Sequence, residues 1–132
     1  MSEIKQAACV IVTNPETNKI LIISRKDNHN DFGLPGGKKE ENETLAHCAV
    51  RELREETGFI VDEKDLIFIY SSVRPTLVCH TFNATKYVGE ISSSTEEGLV
   101  KWGDWEDITN DSSSFAVYNK NLYKRYKENN GH

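Results

Sequence analysis

Three glutamates, Glu52, Glu55 and Glu56, are spaced so that a single helix would bring them to one face. At 100° per residue the neighbouring face is apolar and would pack inside the protein; it consists of Ala46, Ala49, Val50 and Leu53. Like-charged pairs within two turns weaken a helix by roughly a few tenths of a kcal/mol each. The pattern therefore predicts a partner that compensates the three carboxylates.

A divalent cation is one such partner. Magnesium takes oxygen ligands in an octahedron and usually binds a few carboxylates together with substrate phosphates and water. A solvated acidic surface is the other interpretation of a glutamate-rich helix. The spacing of the glutamates alone does not choose between these two interpretations.

The glutamates need a helix to position them, and residues 44–57 predict one. Thr44 suits the N-cap, strong helix formers follow, and Gly58 stands where a left-handed C-terminal residue is wanted. Residues 32–38, upstream of this helix, contain Gly33, Pro35, Gly36 and Gly37 and predict a shaped loop.

The remaining elements are predicted from β-branched, aromatic and turn residues. Residues 7–13 and 20–24, joined by a turn over residues 14–18, predict an opening hairpin. Three further segments predict strands: residues 66–72, residues 77–88 and a short one within 99–108. Residues 115–127 have an apolar period that is loosely helical.

Length and composition limit the class of protein. A chain of 132 residues with 37% apolar content suits one globular domain, and it has no candidate membrane span or secretory signal. A net charge of −5 argues against a surface for extended nucleic acid. Three widely spaced cysteines, Cys9, Cys48 and Cys79, fit neither a disulfide framework nor a zinc site and predict buried thiols in a reducing cytoplasm.

The glutamates belong to a longer pattern. It is formed by Gly37, Glu43, Arg51, Glu52, Leu53, Glu55, Glu56, Gly58 and Phe59. This pattern resembles the Nudix box: G, five residues, E, seven residues, then R-E-U-x-E-E-x-G-U with U apolar. Every defined position matches across residues 37–59, and the preceding Leu34-Pro35-Gly36 extends the resemblance.

The resemblance implies a fold and an activity. It implies one α/β (α+β) domain over residues 1–132 with the Nudix fold, a mixed β-sheet sandwiched between helices. The length is typical of small MutT-like members. It also implies a hydrolase that uses Mg²⁺, or Mn²⁺, to cleave the pyrophosphate linkage of a nucleoside diphosphate derivative.

Metal ligands are implied residue by residue. Carboxylates matching Glu52, Glu55 and Glu56 bind the cations in the family, together with the backbone carbonyl of the glycine matching Gly36. A loop carboxylate well after the box often completes the site, and Glu97 is the candidate here. Either Glu55 or Glu97 would take the proton from the attacking water.

Other polar residues have supporting roles on this interpretation. Arg51 lies one turn before Glu55, so an i,i+4 ion pair would orient that carboxylate, while Glu43 would hold the loop against the helix start. Four residues are candidates for substrate contact: Lys38 and Arg25 for phosphate, Phe32 for stacking on a base and Asn119 for a purine edge. The alternatives are solvated side chains for Lys38 and Arg25, packing inside the protein for Phe32 and an exposed position for Asn119. The four histidines lack ligand spacing and are expected to be structural.

The substrate is left among several small nucleotides. A nucleoside triphosphate or oxidised nucleoside triphosphate, cleaved to a monophosphate and pyrophosphate, is preferred. Pro75, sixteen residues after Phe59, resembles the spacing of ADP-ribose pyrophosphatases, so ADP-ribose or a nucleotide sugar is the alternative. A nucleotide-binding sensor without turnover and an enzyme acting on capped RNA are the remaining hypotheses. The protein is expected to be cytoplasmic, free of membranes, and monomeric or homodimeric.

Overall fold

A computed structural model describes residues 4–73, 76–91 and 98–129 of the chain. The strands are β1 Lys5–Val12, β2 Ile20–Ser24, β3 Phe32–Gly33, β4 Gly36–Lys38, β5 Leu66–Val73, β6 Leu77–Ala84 and β7 Val100–Gly103. The helices are α1 Leu45–Thr57, α2 Glu106–Thr109 and α3 Ala116–Asn129, and a 3-10 turn covers Glu63–Asp65.

The strands form two sheets. A four-stranded mixed sheet has the order β4-β1-β6-β5, in which β1 and β6 are parallel and the other pairs are antiparallel. A three-stranded antiparallel sheet has the order β3-β2-β7. Pairing of β1 with β6 runs over eight residues, from Lys5 opposite Leu77 to Val12 opposite Ala84.

The central strand β1 is buried on both sides, because helices cover both faces of its sheet. Ala8, Val10 and Val12 share one apolar cluster with Leu53 of α1. Ile11 points the other way, into a second cluster with Leu122 of α3. The sequence of a strand that is buried on both faces is a nearly continuous run of apolar residues. The expected mixed sheet between helices is confirmed.

The predicted opening hairpin is wrong. β1 and β2 lie in different sheets, and only an isolated antiparallel bridge from Thr13 to Ile20 joins them. A hairpin would give β1 one local partner, whereas in the fold β1 has β4 on one edge and β6 on the other. The long-range ladder with β6 therefore replaces the local pairing that the turn residues suggested.

The predicted loop at residues 32–38 is also corrected, since it contains the short strands β3 and β4. β3 extends the three-stranded sheet and β4 the four-stranded sheet, so this segment joins the two. Gly36 allows the close approach, because a Cβ at this residue would lie 2.4 Å from the carbonyl oxygen of Ala8. The glycines here serve strand contact as well as turning.

The other predicted elements are present, with changed bounds. β6 ends at Ala84 rather than at residue 88, and Val88 forms an isolated bridge with Ile60. Residues 99–108 contain both β7 and the short helix α2. The last predicted helix is α3. None of the helices in the described part of the chain is long and apolar enough to cross a membrane.

Candidate functional site

Helix α1 presents the acidic residues, and its ends are fixed as the sequence predicts. The Thr44 side chain accepts a hydrogen bond from the backbone N–H of His47 at 3.1 Å. Gly58 ends the helix at φ 80°, and its N–H donates to the carbonyl of Arg54. Cys48, Ala49 and Leu53 are buried, so α1 packs one face inside and leaves the acidic residues on the other side.

A buried ion pair ties the start of α1 to its middle. Arg51 donates to Glu43 from Nε at 2.6 Å and from Nη2 at 3.0 Å, so the contact is bidentate. The Glu43 side chain is 4% exposed, and it also accepts from the backbone N–H of Glu40. Hydrogen bonding to Arg51 holds the pKa of Glu43 well below its usual range. Glu43 therefore stays ionised and holds the loop before α1.

The predicted i,i+4 contact between Arg51 and Glu55 is present. Arg51 Nη1 lies 3.0 Å from Glu55 Oε1 and 3.5 Å from Glu52 Oε2. Its Nη2 also donates to the carbonyl oxygen of Lys38 at 3.2 Å. The Arg51 guanidinium thus connects Glu52 and Glu55 with β4. Its hydrogen bond to Glu43 raises the pKa of Arg51, so the charge of Arg51 is permanent.

Two consecutive glycines hold two of the carboxylates against β4. The Gly36 N–H donates to Glu56 Oε1 at 2.9 Å. A Cβ at Gly37 would lie 2.2 Å from Glu52 Oε1, so glycine leaves the space that this carboxylate fills. β4 is therefore shaped around the acidic face of α1.

The three predicted metal-binding glutamates differ in their surroundings, although Glu52 and Glu55 both contact Arg51. Glu55 is 54% exposed and pairs with Arg51, whereas Glu52 lies against Gly37 and Glu56 against Gly36. Within residues 4–73, 76–91 and 98–129, no group of three or more His, Cys, Asp or Glu side chains is close enough to hold a metal ion. The donor chemistry nevertheless fits magnesium, because carboxylate oxygens from Glu52 and Glu56 lie against adjacent residues of one strand.

A cleft of about 690 Å³ opens beside this acidic face. Gly36 and Glu56 line it, and all four predicted substrate contacts line it as well: Arg25, Phe32, Lys38 and Asn119. These residues come from the end of β2, from β3, from β4 and from α3, and they are up to 94 positions apart, the separation of residues 25 and 119. The fold brings the predicted phosphate and base contacts into one space with a box glutamate.

The two cationic candidates in the cleft have different surroundings. Arg25 pairs with Asp27, with Nε 3.1 Å from Oδ1, and this ion pair raises the pKa of Arg25. Lys38 lies in β4 next to the glycines that contact Glu52 and Glu56. Lys26 also lines the cleft, and Lys101 Nζ lies 4.4 Å from the ring centroid of Phe32, a contact that occupies one face of the predicted stacking residue.

Asn119 differs from a typical helix asparagine, because it is 3% exposed. Its Nδ2 donates to the carbonyl oxygen of Ile108 at 3.0 Å, and only the amide nitrogen can make this bond. The side chain is therefore held in one orientation in the wall of the cleft. The sequence did not indicate this burial, which depends on α2 packing against α3.

Several residues of the cleft were not among the candidates. Asp31 is a buried carboxylate in its wall, and Cys9, Cys79 and Tyr118 also line it. The two thiols lie 3.5 Å apart, and their hydrogen bond together with burial raises the pKa of Cys9. All three cysteines are free, but only Cys48 is buried, and Cys9 and Cys79 are partly exposed, so the predicted burial is correct for Cys48 alone. No sequence signal marked these residues, since their neighbours come from distant strands.

Two predicted features lie outside the described residues, namely Glu97 and Pro75.

Two of the histidines have hydrogen-bond roles. His47 Nδ1 lies 2.8 Å from Glu43 Oε2, and His80 lies between Ser71 Oγ at 2.6 Å and Gln6 Oε1 at 2.7 Å. For His47 and His80 these contacts agree with the expectation of a structural role, whereas His132 lies outside the described residues.

Known proteins resemble this chain in sequence. It is 31% identical over 109 residues to an uncharacterised Nudix hydrolase, YvcI, of Bacillus subtilis, covering 77% of this chain and 66% of that protein. It is 51% identical over 57 residues to an ADP-ribose pyrophosphatase of Methanocaldococcus jannaschii, covering 42% and 34% of the two chains. A putative 8-oxo-dGTP diphosphatase of Bacillus subtilis is 35% identical, with 74% and 64% covered. The matches thus span less than two thirds of these relatives.

Solved structures share the fold. The Escherichia coli ORF135 protein matches with a TM-score of 0.76 at 21% identity, covering 95% of this chain and 89% of that one. A MutT structure from work on Aliivibrio salmonicida and Vibrio cholerae matches with a TM-score of 0.75 at 22% identity, covering 92% and 98%. The family model described as NUDIX domain matches residues 3–125. With this match over most of its length, the chain belongs to the NUDIX domain family.

Proposed function

We propose that this protein is a magnesium-dependent hydrolase that cleaves a nucleoside triphosphate, native or oxidised, to a nucleoside monophosphate and pyrophosphate. The observation that carries the proposal is the composition of one cleft. Glu56 and Gly36 line it together with Lys38, Phe32 and Asn119. Groups suited to a metal-bound phosphate chain and groups suited to a base therefore share one binding space.

Glu52 and Glu56 are proposed as the main metal ligands, with Glu55 and the carbonyl of Gly36. The Gly36 N–H donates to Glu56, and Gly37 leaves the space that Glu52 fills, which supports a defined position for the ion. A bound divalent cation would lower the pKa of the attacking water and neutralise charge on the leaving phosphate. Mn²⁺ suits the same oxygen donors.

The remaining residues would orient the substrate and accept the proton. Glu55, at 54% exposure and oriented by Arg51, is proposed as general base, and Glu97 is the alternative. Lys38 and Arg25 would contact phosphate oxygens, while Phe32 and Asn119 would contact the base. The name of the Bacillus subtilis relative, putative 8-oxo-dGTP diphosphatase, supports a triphosphate substrate.

ADP-ribose or a nucleotide sugar is a second candidate substrate. It is supported by the 51% identity with the Methanocaldococcus jannaschii ADP-ribose pyrophosphatase, which covers 57 residues. The chemistry at phosphorus would be the same, and only the group beyond the diphosphate would differ. We also propose a cytoplasmic location, consistent with three free cysteines, and a monomeric or homodimeric state.

The test is hydrolysis of a substrate panel with magnesium. The panel contains the common nucleoside triphosphates, oxidised guanine triphosphates, ADP-ribose and nucleotide sugars, with products separated by chromatography. Glu52→Gln and Glu55→Gln should lower kcat by at least about 100-fold. Glu63→Gln, an exposed glutamate in the 3-10 turn, is the matched control and should retain activity.

Each outcome of this panel discriminates between the hypotheses. Monophosphate and pyrophosphate released from a triphosphate, and lost in the two variants, support the proposal. Cleavage of ADP-ribose or a nucleotide sugar alone favours the second candidate. Nucleotide binding without turnover of any compound overturns the proposed hydrolase and favours a sensor.

A further inference from the structure

Asp31 is a buried carboxylate in the wall of the cleft that the proposed mechanism does not use. It is 8% exposed and lies directly before β3. Its Oδ1 accepts a hydrogen bond from the backbone N–H of Ser114 at 3.1 Å, and its Oδ2 accepts from the Ser114 hydroxyl. The backbone of Asp31 is also fixed, since its carbonyl accepts from the Arg25 N–H at 2.9 Å.

These contacts use only part of the accepting capacity of the carboxylate. An ionised carboxylate offers about four lone-pair sites on its two oxygens. Ser114 takes one site on each oxygen, so each oxygen has a further site. The Arg25 guanidinium lies close enough to be influenced by the charge of Asp31, but its hydrogen bonds go to Asp27. Asp31 can thus accept two more donors, one on each oxygen.

The carboxylate of Asp31 itself suits an uncharged ring, whereas Arg25 and Lys26, which also line the cleft, suit a phosphate. Phe32, Leu34 and Phe115 line the same cleft, and Phe115 directly follows Ser114. The glycine and glutamate contacts proposed for the metal lie on β4 and α1, not on this loop. A fixed negative charge here would repel an anionic group and attract N–H donors.

We propose that Asp31 determines substrate specificity by selecting a nucleobase with two adjacent N–H donors. Guanine presents this edge, with a ring N–H beside an exocyclic amino group, and so do guanines oxidised elsewhere on the ring. Adenine and cytosine place a ring acceptor beside their amino group, and thymine flanks its N–H with carbonyl oxygens. The inference rests on the proposed function, because it assigns the base of that substrate.

The sharpest variant is Asp31→Asn. The amide can keep both contacts with Ser114, its oxygen accepting from the backbone N–H and its nitrogen donating to the hydroxyl. It replaces one acceptor oxygen with a donor, so it should disfavour the guanine amino group. Xanthine, which has a carbonyl oxygen in place of that amino group, should be accepted better.

The measurement is kcat/KM for dGTP and for the xanthine triphosphate. The wild type should prefer dGTP, and Asp31→Asn should lower the ratio of the two values by roughly 10- to 100-fold, mainly through KM. Asp111→Asn is the matched control, because Asp111 also lies near the start of α3 but is exposed and pairs with Lys120. An unchanged ratio in a folded, active Asp31→Asn enzyme would overturn the inference.

A second variant separates base selection from a merely structural role. Ser114→Ala keeps the Asp31 carboxylate and removes one of its donors, so the preference for dGTP should persist. If Ser114→Ala loses the preference for dGTP as fully as Asp31→Asn does, Asp31 acts only by holding the loop and the inference fails.

Binding of dGMP and of xanthine monophosphate, measured by calorimetry without metal, distinguishes this inference from the proposed function. A dGMP preference that Asp31→Asn reverses supports the role of Asp31 even if the wild type hydrolyses no triphosphate. In that case only the proposed hydrolase would be overturned. Equal binding of the two monophosphates to the wild type would contradict the inference, whatever the hydrolysis results.

Discussion

At the scale of single residues, Arg51 has the largest number of roles in the site. It neutralises the buried Glu43, contacts Glu55 and Glu52, and donates to the backbone of β4. Removing one partner of a buried pair leaves an uncompensated charge, which costs more than the net stabilisation of the pair. The stability of the loop before α1 and the orientation of the acidic face therefore depend on the same guanidinium.

We expect Glu43→Gln to lower the free energy of unfolding at pH 7 by roughly 1–3 kcal/mol, because Arg51 loses its bidentate partner but keeps its contacts with Glu52 and Glu55. The pKa of Glu43 is lower in the folded state than in the unfolded state. Its contribution is thus complete above an unfolded pKa of about 4.3 and is lost as the pH falls towards the folded pKa. Urea denaturation at pH 7 and pH 3.5 should show the variant's deficit shrinking at the lower pH. A deficit independent of pH would contradict this account.

Gly37 is expected to act on catalysis through Glu52. In Gly37→Ala the added methyl would lie 2.2 Å from Glu52 Oε1, so the carboxylate must move. Displacing a proposed metal ligand by about 1 Å should reduce kcat by a factor on the order of 100 and raise the magnesium concentration needed for half-maximal rate. Gly33→Ala adds a Cβ with no atom within 4 Å and is the control for strand stability. Normal magnesium dependence in the Gly37→Ala variant would be inconsistent with the role of Glu52.

At the scale of elements, α1 and β4 act as a unit. α1 buries one face against β1 and turns its glutamates towards β4, where two residues without side chains leave room for them. The helix begins at a capped N-terminus and ends at a left-handed glycine, so its register relative to β4 is defined at both ends.

The N-cap of α1 can be tested with a pair of variants. Thr44→Ala removes the acceptor for the His47 N–H and should lower the free energy of unfolding by about 1 kcal/mol. Thr44→Ser keeps a hydroxyl oxygen in the same place and should stay close to the wild type. Chemical denaturation followed by circular dichroism measures both. Equal losses in the two variants would indicate that the Thr44 methyl group, rather than the cap, is responsible.

At the scale of the whole molecule, the cleft exists because α3 packs against the four-stranded sheet. Tyr118 of α3 is 6% exposed, and its hydroxyl lies 2.5 Å from Thr81 Oγ1 on β6, which is fully buried. Desolvation raises the pKa of Tyr118, so this phenol is neutral at physiological pH. This contact fixes α3, which also places Asn119 in the wall of the cleft. Phe115 directly precedes this helix.

Tyr118→Phe should lower the free energy of unfolding by about 1–2 kcal/mol, because Thr81 loses a partner for a buried hydroxyl. Thr81→Val with Tyr118→Phe removes both polar groups and should be less destabilised than the sum of the two single variants. A double-mutant cycle by urea denaturation measures this coupling. Strict additivity would show that the two hydroxyls do not depend on each other.

The sequence alone determined the features that depend on neighbouring residues. The period and caps of residues 44–58 predict α1, and the spacing of Glu52, Glu55 and Glu56 predicts its acidic face. The i,i+4 contact from Arg51 to Glu55 follows from helix geometry alone. These features are local, so no long-range contact was needed to foresee them. The complete Nudix box added the family, which the NUDIX domain match confirms.

Only the tertiary structure decided which distant segments meet. β1 pairs with β6 instead of β2, and turn residues cannot predict this long-range pairing. A central position, with β1 buried on both faces and paired at both edges, stabilises the strand more than a local hairpin would. The same packing buries Asn119 against the Ile108 carbonyl. It also buries the side chain of Asp31, which in the sequence is one of several acidic residues in loops, in the wall of the cleft. These environments are made by other segments of the chain, 11 positions away for Asn119 and Ile108 and 83 positions away for Asp31 and Ser114, so they form only once the chain has folded.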